Sequence, residues 1–592
     1  MTREKLCRIL LFAVGVAAAY PVRSYPVTAG LDASWAFGLN YAHHSGLLFG
    51  RDAIFTYGPL AWLALPMNIG NNLWPALVFQ TASWVAFAGV LAWFVFVRNV
   101  ALWRVVVFAV CLLAGWRCFH HWDYVGPEMF LAFLAFLLMG AATHDRHWLF
   151  FFGTSCFLGW TLLFLKFSAG TTVLSGAILL CLAMGAFDRR KAICLAVAAL
   201  LSTALFVGAA SEIYFSSVPT FLRYMRTGFE FSAAYSSAMS APGSSAPLAM
   251  ALALFVSWLM LIRELLRTHD RTIPMAIAML GPWFLLFKHS FVREPMHAGF
   301  LFAFAPLFWA VLVLSSEVEG KQLGRFFSAF AIFAAVMMLT VAPAADPTRA
   351  PLTVDRLPAT ILNAVGSGPI AVFPYENAYA AANALNYRPL PVLQSYAAYT
   401  PYLDKTNAES LENDATAPRF VLFDWASIDG RHPLLDVPAT ALALYRHYDQ
   451  AAAEGEHLLL RRRATPRFGS PRLLRTCEWR RDRPLPIPAS PHPLIARISL
   501  QRTAKGTLQD FFFRLPAVTL MGFRVPPQVI EDGVPLNFLP WNLDEAAALF
   551  RGEPVPVHGK ELALAGPGAP DFRESVRVEI LEIPEIILPP AN

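Results

Sequence analysis

Cysteine is scarce in this chain, with 7 in 592 residues. All but one lie in or beside long apolar segments: Cys7, Cys111, Cys118, Cys156, Cys181 and Cys194. Cys477 is alone in the C-terminal part, which excludes a disulfide within that part. No Cys/His spacing is typical of a metal site, so the sequence predicts none.

Charge is also scarce. Only 15% of residues are charged, 56% are hydrophobic, and the mean hydropathy is +0.48. This composition is typical of membrane proteins. The net charge of +6 does not indicate a nucleic-acid partner, because much of it comes from basic residues in short connections between apolar runs.

Apolar runs of spanning length are missing beyond about Ala344, where Pro, Arg, Asp and Glu become frequent. The sequence therefore predicts a polytopic α-helical membrane domain at 1–345, followed by a water-exposed region. The apolar segments before that point predict eleven membrane spans. They are 6–22, 73–97, 101–117, 129–142, 148–166, 169–187, 191–210, 246–262, 272–289, 299–316 and 326–343.

The C-terminal region divides into two predicted modules. An α/β module is expected at 346–465, with strands at 369–374 and 419–424. A β-sandwich-like module is expected at 466–592. Its predicted strands are 494–500, 508–515, 518–525 and 576–580.

Basic residues predict the orientation in the membrane. With eleven spans, the Lys and Arg residues of the short connections all fall on one side, which is then cytoplasmic. The N-terminus is predicted inside and the C-terminal region outside. Arg3 and Lys5 before an apolar core also resemble a signal peptide, but we expect an uncleaved anchor, since cleavage would detach Asp32 from its span.

Unusual ionisable residues all fall on the predicted outer side. Such groups are costly near lipid unless they are paired or face a wet cavity, so a shared site is the first hypothesis. Plainer interpretations stay open: lysines at span ends reach the headgroups, and Asp52 pairs locally with Arg51. The residues concerned are Asp32, Asp52, the segment 120–128, Lys166 and the segment 288–297.

Asp32 lies just beyond the first span, followed by an aromatic-rich stretch to Tyr41 and the segment Phe55-Thr56-Tyr57-Gly58-Pro59-Leu60. Together these elements resemble the first extracytoplasmic loop of GT-C glycosyltransferases. The resemblance implies a bacterial inner-membrane enzyme that moves a sugar from a polyprenyl phosphate to a cell-envelope glycan or lipid acceptor. It implies that Asp32 supplies the catalytic carboxylate. The Asp-Glu pair of many members is absent, since Ala33 follows Asp32.

Further matches extend the resemblance over 1–345. It implies donor-phosphate contacts by Arg293, Lys166 and His297, and a second acidic position at Asp123 or Glu128. Tyr57, Trp35, Tyr396 and Tyr399 are candidates for a substrate groove. No cofactor is predicted, although some members of this superfamily use a divalent cation.

The chemistry expected of such a site is a single displacement. A carboxylate takes the proton of the attacking acceptor hydroxyl, and cations stabilise the phosphate that leaves. Two other functions fit the same sequence. One is a non-catalytic protein for glycan export or assembly with a glycan-binding outer domain. The other is a transporter, which should carry its charges near the bilayer midplane.

Overall fold

The computed structural model describes residues 2–18, 24–121, 128–316 and 356–583. The chain divides into two compact units. The helical unit comprises Met1–Pro26, Thr56–Val218 and Pro242–Ala350. The mixed unit comprises Val27–Phe55, Pro219–Ala241 and Pro351–Asn592. Two segments from before residue 345 thus belong with the C-terminal region, and one of them carries Asp32.

Helices α1–α14 occupy the chain up to residue 315, and α2 and most of α10 belong to the mixed unit. Their bounds are α1 Arg3–Ala18, α2 Leu31–His44, α3 Ala61–Ala64, α4 Leu73–Ala92 (continued by a π-helical turn Trp93–Val97), α5 Leu102–His121, α6 Glu128–Ala142, α7 Trp148–Leu165, α8 Phe167–Gly185, α9 Arg189–Ile213, α10 Val218–Ala238, α11 Ser245–Thr268, α12 Ile273–Ala278, α13 Leu280–Val292 and α14 Glu294–Ser315.

Seven helices in the described part of the chain are long and apolar enough to cross a membrane. They are Leu73–Val97, Trp148–Leu165, Phe167–Gly185, Arg189–Ile213, Ser245–Thr268, Ile273–Val292 and Met296–Ser315, and they coincide with seven of the predicted spans. Three further predicted spans overlap α1, α5 and α6. The last, 326–343, lies outside the described residues, and the count of eleven stays a prediction.

The core of the helical unit is formed by α6 and α14. Every residue of α6 from Phe130 to Ala142 is buried. Phe133 packs against Phe304, and Phe136 against Phe308, with ring centroids 5.7 and 5.1 Å apart. The two helices therefore pack on each other through aromatic side chains.

The first part of the mixed unit is a four-stranded sheet with the order β1-β2-β4-β3. β1 and β2 are parallel, whereas β4 is antiparallel to both β2 and β3. The predicted strands at 369–374 and 419–424 are confirmed. The bounds are α15 Ala359–Val365, β1 Ile370–Phe373, α16 Ala378–Ala382, α17 Pro401–Glu412, β2 Phe420–Asp424, α18 Pro438–His447, β3 Tyr448–Glu454 and β4 His457–Arg462.

The second part is strand-rich, with sheets of order β10-β7-β13-β5, β12-β8-β9 and β11-β6. Side chains of β6 and β11 face those of β7 and β13, so two of the sheets pack on each other. The bounds are β5 Arg472–Arg480, β6 Leu485–Pro486, β7 Leu494–Ser499, α19 Ala504–Phe512, β8 Val518–Leu520, β9 Phe523–Val525, β10 Val534–Pro535, α20 Leu543–Arg551, β11 Glu561–Leu562, β12 Leu564–Ala565 and β13 Ser575–Glu582.

One predicted strand, 508–515, is wrong. The chain forms α19 over Ala504–Phe512, and Thr503 caps it by accepting a hydrogen bond from the Gly506 amide. The apolar run Leu508–Leu515 suited a strand by composition alone. The Thr cap five residues upstream of the run was the signal for a helix.

Candidate functional site

Asp32 lies in the first turn of α2 in the mixed unit, and its side chain is exposed. The indole N–H of Trp35 donates a hydrogen bond to its Oδ1 over 2.9 Å. Gly30 begins the helix with φ +117°, a backbone conformation that side-chain-bearing residues rarely adopt. The glycine and the indole together fix where this carboxylate points.

Glu376 anchors the same helix end. Its carboxylate accepts hydrogen bonds from the Gly30 amide (3.0 Å) and from the Ser34 hydroxyl. Burial raises the pKa of Glu376, and the bonds from Ser34 and Gly30 oppose that rise. A second carboxylate therefore reaches the first turn of α2 from 346 residues along the chain.

Gln394 completes the anchor of α2. Its side-chain amide donates to the carbonyl of Leu31 over 2.8 Å, and also to the carbonyl of Tyr375 at 3.2 Å. The Tyr396 hydroxyl in turn donates to Gln394 Oε1. The start of α2 is thus held by side chains that follow β1, and Asp32 is presented on a fixed support.

Tyr57 and Lys166 meet in the helical unit. Lys166 is an extended residue between α7 and α8, with φ −144° and ψ 116°. The segment at 56–60 runs beside it: the Phe167 amide donates to Thr56 O, and the Gly58 amide to Leu165 O. The Lys166 ammonium lies 4.8 Å from the centroid of the Tyr57 ring. The Tyr-Gly-Pro segment of the sequence therefore serves to position this lysine.

His289, Arg293 and His297 gather where α13 ends and α14 begins. The imidazoles of His289 and His297 stack with centroids 5.3 Å apart. Arg293 is buried between the two helices. The charges of Arg293 and Lys166 both act on the His297 ring. The three predicted phosphate-binding residues thus interact electrostatically with one another, and His289, which lies within the predicted segment 288–297, stacks on one of them.

The remaining groove candidates are largely buried within the mixed unit. Trp35 packs against Phe55, and Tyr399 against Phe231. Tyr396 is 7% exposed. Their place in a substrate groove stays a prediction.

The two candidates for a second acidic position differ in what the structure describes. Asp123 lies outside the described residues. Glu128 begins α6 with a buried carboxylate, and no hydrogen-bond donor reaches its oxygens from the residues the structure describes. Across those same residues, no three His, Cys, Asp or Glu side chains are placed to hold a metal ion together.

No protein-family model and no curated protein matches this chain. The functional argument therefore depends on the geometry of the two units and on the residues that each positions.

Proposed function

We propose that this protein is a membrane glycosyltransferase that moves a sugar from a polyprenyl phosphate to a glycan or lipid acceptor of the cell envelope. The observation that carries the proposal is Asp32: an exposed carboxylate held by Trp35, on a helix end that Glu376 and Gln394 anchor. A general base needs this combination of access and fixed direction.

In the proposed reaction, Asp32 accepts the proton of the acceptor hydroxyl. That oxygen forms a bond to the anomeric carbon, and the bond from the anomeric carbon to the phosphate oxygen breaks. The phosphate monoester leaves with the bonding electron pair, and the anomeric centre inverts. Lys166 and Arg293 would stabilise the added negative charge, since cationic donors are strongest in sites poor in water, and His297 would donate a hydrogen bond.

The proposal includes an orientation. The eleven-span topology puts the N-terminus in the cytoplasm and the C-terminal region on the outer side of the bacterial inner membrane. The basic residues in the short connections support this orientation. The seven apolar helices of membrane length support the membrane location only.

The test is sugar transfer by the purified full chain from radiolabelled polyprenyl-phosphate sugars to cell-envelope acceptors. We expect Asp32→Asn to lower the rate about 100- to 10,000-fold, the usual contribution of a general base. Asparagine keeps an oxygen that can accept the Trp35 bond, so the fold should persist.

Asp52→Asn is the matched control. Asp52 also lies in the mixed unit and pairs with Arg51 at 2.8 Å on the surface. It should retain full activity. Equal rates for the wild type and Asp32→Asn would remove Asp32 from the mechanism. Absence of transfer with every donor would instead favour a glycan export or assembly protein.

A further inference from the structure

A cleft of about 400 Å³ opens in the mixed unit. It borders the support of α2, because its lining residue Glu376 also bonds the Gly30 amide and its lining residue Tyr375 packs against Tyr396. Its volume falls within the roughly 300–1,000 Å³ common for small-molecule sites. Its lining includes seven ionisable or aromatic side chains: Tyr375, Glu376, Tyr379, Asp424, Trp425, Glu456 and His457.

Sheet topology explains why these residues meet. Tyr375 and Glu376 follow β1, and Asp424 ends β2, so the carboxyl ends of two parallel strands lie side by side. His457 begins the antiparallel neighbour β4 and pairs with Asp424 in the register. The crevice beyond the carboxyl ends of parallel strands is where open α/β sheets bind their ligands.

The polar lining is rich in hydrogen-bond acceptors. His457 Nδ1 donates to Asp424 Oδ1 over 2.6 Å, which leaves the other carboxylate oxygen of Asp424 for further bonds. Burial raises the pKa of Asp424, while the hydrogen bond that His457 donates to Asp424 raises the pKa of His457. Glu376 adds a second carboxylate and Glu456 a third at the exposed rim. With three carboxylates and one imidazole, the lining has more acidic than basic groups. This excess disfavours binding of an anionic ligand such as a phosphate or a uronic acid.

Aromatic rings supply the rest of the lining. Tyr375, Tyr379 and Trp425 are each partly exposed in the cleft. Tyr379 meets His457 edge to face, at 5.3 Å and 84°, which fixes the ring at the cleft wall. Aromatic faces cover the C–H surfaces of a pyranose, and carboxylates bind its vicinal hydroxyls. A lipid chain would leave the carboxylates without partners.

We propose that this cleft binds an uncharged sugar unit of a glycan, with Asp424 and Glu376 on its hydroxyls and Tyr379 and Trp425 against its ring. The assignment goes beyond the proposed transfer reaction, because binding here involves neither Asp32 nor a lipid-linked donor. It gives the mixed unit a glycan-binding site of its own.

The experiment measures binding of tetrasaccharides to the full chain in detergent, without any donor. The probes are neutral oligomers of glucose, mannose, galactose and N-acetylglucosamine, together with oligomers of glucosamine and of galacturonate. We expect at least one neutral oligomer to bind and galacturonate not to bind. Because no donor is present, the result does not depend on whether the protein transfers sugar.

Asp424→Asn tests the site itself. Asparagine can still accept the His457 bond but loses the charge, so affinity for the neutral oligomer should fall at least about 10-fold. Asp414→Asn is the matched control, because Asp414 is 98% exposed and pairs with Arg462 in the same unit. Its affinity should be unchanged.

Three outcomes would overturn the assignment. They are binding of none of the neutral oligomers, binding of the glucosamine or galacturonate oligomers alone, or equal affinity in the wild type and Asp424→Asn. A melting curve for Asp424→Asn that matches the wild type shows that a lost affinity is not a lost fold. Tyr379→Ala provides a second variant at the same wall, with a fall in affinity expected there too.

Discussion

Two buried aspartates, Asp404 and Asp532, face each other in the mixed unit. Asp404 accepts hydrogen bonds from the Ala439 and Thr440 amides and from the Thr440 hydroxyl. Asp532 is fully buried on its side chain and pairs with Lys405 at 3.1 Å. Burial, followed by the charge of Asp532, raises the pKa of Asp404, and burial raises the pKa of Asp532 as well.

The sign of the pH dependence follows from those raised values. A carboxyl group whose pKa is higher in the folded state holds its proton there when the unfolded chain has already released it. Its contribution to stability is complete below the ordinary value of 3.8 and is lost as the pH rises through the higher folded value. We therefore expect the mixed unit to lose stability between pH 5 and pH 8.

Asp532→Asn should reduce that loss, since it removes the charge that opposes ionisation of Asp404. At pH 8 we expect the melting temperature to rise by roughly 2–4 °C, the effect of about 1 kcal/mol in a unit of this size. The melting temperature is measured from the intrinsic fluorescence of the full chain during heating at pH 5 and at pH 8. Asp414→Asn should leave both curves unchanged, and a lower melting temperature for Asp532→Asn at pH 8 would contradict the account.

At the scale of elements, the α7–α8 junction depends on a close approach at Gly170. A Cβ there would come within 2.2 Å of the Leu163 backbone, so the two helices can meet around Lys166 only if residue 170 has no side chain. Gly185 ends the same helix, and a Cβ added there would meet no atom within 4 Å. The two glycines differ in packing while sharing one helix.

Gly170→Ala should destabilise the helical unit by about 1–3 kcal/mol, because the added carbon forces the backbones of α7 and α8 apart. Gly185→Ala is the control and should be neutral or stabilising by up to about 1 kcal/mol. Thermal unfolding of both variants in detergent measures the difference. Equal melting temperatures would mean that the junction relaxes without cost.

Local patterns predicted the elements better than the site. Apolar runs located seven helices of membrane length, and short apolar strands located β1 and β2, since both signals lie within one segment of the sequence. The strand predicted at Leu508–Leu515 is wrong because a short apolar stretch fits either a helix or a strand. The cap at Thr503 favours the helix. Asp32 and Lys166 were named from the sequence, yet the residues that position them come from distant segments. Glu376 anchors the helix end that carries Asp32, and the Tyr57 ring lies beside Lys166.

Glu376 and the Asp424–His457 pair had a weak signal in the sequence. Glu376 lies two residues beyond one predicted strand and Asp424 ends another, and the ends of parallel strands are where ligand-binding side chains occur. That β1 and β2 are parallel neighbours depends on long-range pairing. Composition and periodicity carry no information about it, so the cleft emerged only from the fold.

At the scale of the whole molecule, the exposed apolar side chains of the long helices indicate a lipid environment. α9 exposes Leu200, Leu201 and Leu205, the last at 75%. Apolar surface of this extent is costly in water and is stabilised by hydrocarbon. Since the basic residues cluster in short connections, the positive-inside rule predicts that those connections lie in the cytoplasm.

Labelling of single cysteines in intact cells tests this orientation, in a variant whose seven native cysteines are replaced. Asp414→Cys, at an almost fully exposed position of the mixed unit, should react with a membrane-impermeant maleimide. Arg190→Cys, exposed at the start of α9, should react only after permeabilisation, because a basic connection is expected to stay on the cytoplasmic side. The reverse pattern would place the mixed unit in the cytoplasm. It would then exclude transfer on the outer face, since Asp32 belongs to that unit.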